Sequence, residues 1–300
     1  MLLAIDIGGT AVKMGLVEGG VITARTEASV SFDQYQTPIL TTVLKVAKDF
    51  MTAHHATVEG IGVAATGQVD DTAGVVIGTN GKIPGYEGTN FRAALEEAFS
   101  VPVRVLNDAN AAALGEWAYG AGQGCQNLLM VTLGTGVGGG IVADGRLLRG
   151  CRGIAGELGH FTLYQDGVPC PCGKRGCFES YAATTALVRL AEALTGESHL
   201  NGRIIFGRAA EGDAVMLSAL NRWTEDIAAG LSGLIHIFNP ERVLIGGGVS
   251  SQEALLMAPL REKVAAMLMP RFRESVTIAR ATLGNDAGMM GAVKFWEMER

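Results

Sequence analysis

Short apolar runs ending in glycine alternate along this chain with longer stretches of helical period. Residues 2 to 22, LLAIDIGGTAVKMGLVEGGVI, read as an apolar strand, a Gly/Thr turn, a second strand, a tight turn at Glu18-Gly19-Gly20 and a third strand. Residues 128 to 147, LLMVTLGTGVGGGIVADGRL, repeat that series, with the tight turn at Asp144-Gly145 and one single-residue gap. An offset of 126 residues (128 minus 2) is too long for a stacked solenoid and predicts two copies of one fold.

Between the copies the pattern predicts a helix over 37–54, a strand over 58–65, a helix near 90–99, a strand at PVRVLND and a small-residue helix at ANAAALGEWAYG. After the second copy it predicts a helix from about 180 to 195 and a long helix over 213–237, ended by Asn239-Pro240. A strand at RVLIGGGVS, a helix, a strand at VTIARA and a final helix from about 287 complete the chain. Meanders mixed with βα units indicate an α/β class. The Gly-rich polar stretch around 116–127 marks a boundary, so we expect an N-terminal domain over 1–118 and a C-terminal one over 119–287. The last helix, 288–300, is expected to pack back on the first domain.

Composition narrows the class. The chain has 300 residues, 48% hydrophobic and 18% charged, a globular balance with ample length for a core. Its net charge of −6 argues against nucleic acid as a partner. An acid at residue 6 and glycines at 8 and 9 interrupt the apolar N-terminus, so no signal peptide is expected, and no apolar run suggests a membrane span. Five cysteines, an odd number, suggest a reducing cytoplasm without structural disulfides.

Glycine supplies the first candidate chemistry. In DIGGT (6–10), the backbone of Gly8 and Gly9 and the hydroxyl of Thr10 can converge on an anion, while Asp6 is placed to hold a hydrated Mg²⁺. LGTGVGGG (133–140) repeats the turn with Gly134, Thr135 and Gly136. IGGGVS (245–250) brings Gly246, Gly247 and Gly248 after a third apolar strand, where a flat purine or ribose can lie on bare backbone. Any one loop is equally a tight hairpin. Two at duplicated positions, with a third after a later strand, suggest a nucleotide's phosphate tail. Lys13 either reaches phosphate or stands in solvent.

Asp108, in LNDAN, sits at a strand end before a helix. It is either an N-cap or a general base that accepts the proton of an attacking hydroxyl. His160, Cys170, Cys172 and Cys177 form a His/Cys₃ set, four donors that suit a closed structural Zn²⁺ site. A redox pair is the rival reading, but Cys170-Pro171-Cys172 is not C-x-x-C. Cys125 and Cys151 are expected to be free thiols.

AIDIGGT, NDANAAALGE, VTLGTGVGGGIV, GELGH with CPCGKRGCFESYAA, and NPERVLIGGGVS occur in this order. Together they resemble the ROK family of sugar kinases and sugar-responsive repressors, over essentially the whole chain. The resemblance implies duplicated actin-like ATPase (ribonuclease H-like) domains with an active-site cleft between them, and a zinc-binding insert at 157–180. It implies Asp108 as the base and Asn107 as a sugar contact. Gly67, Asn80, Glu157, His160 and Glu179 fall where the family touches its sugar, although Ala65-Thr66-Gly67 replaces a common Pro-Gly. His160 would bind zinc through one ring nitrogen and offer the other to the sugar.

The implied activity is ATP-dependent transfer to the 6-hydroxyl of glucose or a related hexose, in a cytoplasmic homodimer. N-Acetylmannosamine, N-acetylglucosamine or a β-glucoside is the alternative substrate; GTNGKIPGYEGTN (78–90), with DIGGTAVKMG, looks closer to the β-glucoside and N-acetylmannosamine branches. A sugar-sensing repressor is the non-enzyme alternative. It is disfavoured because the phosphate loop begins at residue 6, leaving no room for a helix-turn-helix domain.

Overall fold

The computed structural model describes residues 1–79, 81 and 83–300. The chain divides into two compact units. Met1–Gln123, Leu147–Gly156 and Asn285–Arg300 form the first, and Gly124–Arg146 and Glu157–Gly284 the second.

In the first unit the opening meander is β1 (Leu2–Ile7), β2 (Ala11–Glu18) and β3 (Val21–Ser29). β4 (Ile61–Ala65) follows the helix Ile39–Ala53, and a short hairpin, β5 (Gln68–Asp70) and β6 (Val75–Gly78), comes next. β7 (Val103–Asn107) follows the helix Phe91–Phe99 and leads into the helix Asp108–Tyr119. The sheet order is β3-β2-β1-β4-β7. The second unit repeats it with β8 (Leu128–Leu133), β9 (Val137–Ala143), β10 (Arg146–Leu147), β11 (Arg242–Gly246) and β12 (Thr277–Arg280), in the order β10-β9-β8-β11-β12. In each unit the first strand pairs antiparallel with the second and parallel with the strand that follows the meander. The repeated sequence pattern thus corresponds to a repeated topology.

Parallel strands buried on both faces read as continuous apolar runs, and β4 is buried at every residue. The final helix, Ala287–Met298, belongs to the first unit, where glycines let it approach closely. A Cβ on Gly291 would lie 1.6 Å from the Ala111 carbonyl oxygen, and one on Gly62 would lie 2.4 Å from that of Ala292.

The expected run 119–287 is interrupted, because Leu147–Gly156 clusters with the first unit. Leu147 packs there with Ala64, Leu106, Leu114 and Phe295. Arg149 clamps the buried Asp71 through two bonds, Nε to Oδ2 at 2.5 Å and Nη2 to Oδ1 at 2.8 Å. Gly153, at φ 75°, makes room for that carboxylate, whose Cγ would stand 2.6 Å from a Cβ.

The helix expected over 180–195 is two helices, Glu179–Ala182 and Thr184–Thr195, broken at Ala183, whose backbone is extended (ψ 155°). The Trp223 indole N–H donates to the Ala182 and Ala183 carbonyls, which lets the helix break inside the core. The β5–β6 hairpin and the helices Gly202–Ala210 and Pro270–Ser275 were not legible in the pattern.

Candidate active site

Register sets the candidate site of the first unit. Ile7 of β1 pairs with Ala65 of β4, and Ala65 with Asn107 of β7. Three connections therefore leave one edge of the sheet together: Gly8–Thr10, Thr66–Gly67 and the helix that begins at Asp108. The carboxyl ends of parallel strands are where open α/β sheets bind ligands.

At β7 the two readings of Asp108 separate. The N-cap is Asn107, whose Oδ1 accepts the N–H groups of Ala109 and Asn110, both at 3.0 Å. Its Nδ2 donates to the Gly67 carbonyl at 2.8 Å and to Asp108 Oδ1 at 2.9 Å. All four bonding positions of the Asn107 amide are engaged within the protein, so its part here is positioning. Gly67 sits at φ 89°, and a Cβ there would meet the Gly78 carbonyl at 2.8 Å. Burial and the negative charge of Asp6 push the Asp108 carboxyl up to about 7, against bonds from Ala109, Thr66 and Asn107 that favour the anion. A carboxyl poised near neutrality at a strand end has the properties of a general base. Thr66, which the sequence did not single out, joins the site through its bond to Asp108.

Burial likewise raises the Asp6 carboxyl, and Lys13, its cross-strand partner, opposes that rise. Gly288 leaves space for it: a Cβ would lie 2.9 Å from the Asp6 carboxyl carbon. A carboxylate beside such a glycine loop fits the way hydrated Mg²⁺ is held. In that loop the Gly8 N–H is spent on the Ala11 carbonyl, at 2.9 Å. Gly8 therefore shapes the turn rather than donating to a ligand.

The second unit carries the matching loop. The Gly134 N–H is spent on the Gly136 carbonyl at 3.0 Å, as Gly8's is on Ala11. β8 and β11 pair with Thr132 opposite Gly246, so the two glycine loops leave that sheet side by side. Gly247, at φ 88°, packs on β8: a Cβ would lie 2.1 Å from the Leu133 carbonyl. Gly248 faces open space. A cavity of about 840 Å³ opens there, lined among others by Gly134, Thr135, Asn201, Arg203, Phe206, Gly248 and Val249. Its volume and its bare glycine backbone suit a nucleoside.

The insert brings His160, Cys170, Cys172 and Cys177 together, with one ligand atom of each within 4.8 Å of all the others. Cys170 Sγ lies 3.6 Å from His160 Nδ1, and Cys172 Sγ lies 3.6 Å from Cys177 Sγ. Those are edge lengths of a tetrahedron with bonds of about 2.0–2.3 Å, so the donors fit Zn²⁺. With Nδ1 on the metal side, Nε2 is the free ring nitrogen, 3.9 Å from Glu157 Oε2. Phe178, next to Cys177, is fully buried and stacks on Phe161, which ties the insert to the core. Glu179 Oε2 accepts the Val137 N–H at 2.9 Å. The Glu179 carboxylate therefore touches the strand that leaves the second glycine loop. Asn80 lies outside the described residues. Cys125 is buried and Cys151 exposed.

Each unit carries the meander with a strand-end loop of glycine and threonine, and the first unit adds a carboxyl held near pH 7 at a strand end. The ROK family model matches residues 2–299. A glucokinase from Halalkalibacterium halodurans is 37% identical over 96% of this chain and 92% of its own length. The structure of a ROK hexokinase from Thermus thermophilus superposes with a TM-score of 0.87 at 33% identity, over 99% of both chains. A ROK family glucokinase from Streptomyces griseus, in complex with glucose and AMPPNP, superposes with a TM-score of 0.82 at 32% identity, over 98% of both chains. The chain belongs to the ROK family, and its fold is that of the family's sugar kinases.

Proposed function

We propose that this protein transfers the γ-phosphate of ATP to the 6-hydroxyl of glucose or a closely related hexose. The observation that carries the reading is Asp108, held at a strand end by the capping Asn107 and poised near neutral pH. Asp108 takes the proton of the 6-hydroxyl as that oxygen bonds to the γ-phosphorus and the bond to the β-phosphate oxygen breaks, leaving ADP. A carboxylate suffices, since phosphoryl transfer depends mostly on positioning and charge stabilisation.

The cavity of the second unit takes the nucleoside, beside Gly246, Gly247 and Gly248. Gly9, Thr10, Thr135 and Gly136 bind phosphate oxygens, with Gly8 and Gly134 closing the turns and Lys13 balancing charge. Asp6 would hold Mg²⁺, which would supply neutralisation of phosphate charge. Gly67, Asn80, Glu157, His160 and Glu179 read the sugar hydroxyls, and Asn107 holds Gly67 and Asp108 in place. His160, Cys170, Cys172 and Cys177 would hold Zn²⁺, which would order the proposed sugar-binding wall. The reading places the protein in the cytoplasm, as a homodimer, with domains over 1–118 and 119–287 except the 147–156 segment. It is tested by following ADP release over a panel of glucose, N-acetylmannosamine, N-acetylglucosamine and cellobiose, and by locating the phosphate in the product by NMR. Glucose 6-phosphate formation is expected; no ADP release with any sugar would refute it.

A further inference from the structure

The loop after β3 carries two consecutive non-glycine residues in the left-handed region, Gln34 at φ 57° and Tyr35 at φ 64°. L-residues rarely adopt it, because Cβ then crowds the neighbouring carbonyl. Such strain persists where the surroundings impose it, and it concentrates at functional sites. Here it accompanies one specific contact: the Tyr35 hydroxyl donates to the Gly9 carbonyl at 2.6 Å. The ring packs against the first unit's apolar core, and Asp33 ties the loop by accepting the Thr37 N–H at 2.9 Å.

The second unit does the same with other residues. Ile7 and Leu133 both end the first strand of a meander, so Gly8 corresponds to Gly134 and Gly9 to Thr135. The Thr135 carbonyl accepts the Thr185 hydroxyl at 3.1 Å. In both copies a hydroxyl from outside the meander therefore holds the carbonyl of the loop's second residue. The two hydroxyls come from unrelated places, a tyrosine in a strained loop and a threonine at the start of a helix.

A trans peptide is planar, with its C=O and N–H pointing in opposite directions. Fixing the Gly9 carbonyl therefore fixes the Thr10 N–H, and fixing the Thr135 carbonyl fixes the Gly136 N–H. We propose that Tyr35 and Thr185 are positioning residues for nucleotide binding: each latches one glycine loop so that an N–H, not a carbonyl, faces the phosphates. This rests on the nucleotide reading of these loops given above. A loop free to rotate that peptide would turn a carbonyl's partial negative charge on the anion.

The test is calorimetric binding of AMPPNP with Mg²⁺ and, separately, of glucose, to wild type, Tyr35→Phe, Thr185→Val and Gln34→Gly. Tyr35→Phe and Thr185→Val remove the hydroxyl and keep the bulk. Each should weaken AMPPNP about five- to tenfold, the worth of one hydrogen bond, and leave glucose affinity unchanged. Gln34→Gly relaxes the strained loop but keeps the latch, and should bind AMPPNP like wild type. AMPPNP affinity unchanged in both latch variants would overturn the proposal and leave the nucleotide reading intact. An equal loss in Gln34→Gly would also overturn it, by tracing the effect to loop looseness. Wild type that binds no AMPPNP would overturn both readings.

Discussion

Asn107 caps the helix that begins at Asp108 and, with the same amide, donates to the Asp108 carboxylate at 2.9 Å. Capping thus falls to Asn107 and the proposed proton acceptance to its neighbour Asp108. Asp108 is left half-buried, and desolvation and the charge of Asp6 hold its carboxyl near 7.

That placement predicts a pH profile. A general base works as the anion, and the folded-state value of Asp108, the proposed base, lies above the ordinary carboxylate range. The kcat/KM for phosphoryl transfer should therefore be flat above about pH 7 and fall towards tenfold per unit below it. The stability sign is opposite. Between the ordinary value and about 7 the folded state binds more protons than the unfolded, so this group's contribution weakens as pH rises through that window. Asp108→Asn should accordingly melt above wild type at pH 8 and close to it at pH 4. Initial rates and thermal melts across pH check both, and a profile centred near pH 4 would contradict the account.

The His/Cys cluster predicts about one zinc per chain, since four donors close one tetrahedral site. Cys172→Ser should lose the metal and weaken glucose binding far more than AMPPNP binding. Elemental analysis with paired calorimetry measures both. Full activity in thoroughly chelated, zinc-free protein would contradict the assignment.

Glu179 bonds to the Val137 N–H, and a Cβ on Gly136 would lie 2.5 Å from its Oε2. Gly136→Ala should push that carboxylate aside and disturb both the proposed sugar contact and the second glycine loop. KM for glucose and for ATP should rise together, each by about tenfold, with little change in melting temperature. Steady-state kinetics in both substrates decide it.

The glycine loops were legible because anion-binding turns draw on few residue types, and the repeat was legible because both copies keep the strand–turn–strand rhythm. Asp108 was legible only as cap or base; the capping bonds of Asn107 show that the cap is its neighbour. The break at Ala183 has no local signal, since no Gly or Pro marks it. The indole that bonds its carbonyl, Trp223, lies forty residues on. The Arg149–Asp71 pair lies 78 residues apart, so nothing local announced it or the return of Leu147–Gly156 to the first unit.

That pair carries a stability prediction. Asp71 is 5% exposed and held by two guanidinium bonds. Arg149→Ala should cost about 3 kcal/mol, because a buried carboxylate is left without its partner. Adding Asp71→Ala should recover part of that loss. Denaturant melts of the single and double variants test it, and an unaffected single variant would show that the clamp carries no stability.

The most direct test is Asp108→Asn, assayed for turnover with ATP and glucose and, by calorimetry, for glucose affinity. The isosteric amide keeps the shape but accepts no proton. Turnover should be abolished, with glucose affinity within about tenfold of wild type. Turnover like that of wild type would contradict the assignment of Asp108 as the base.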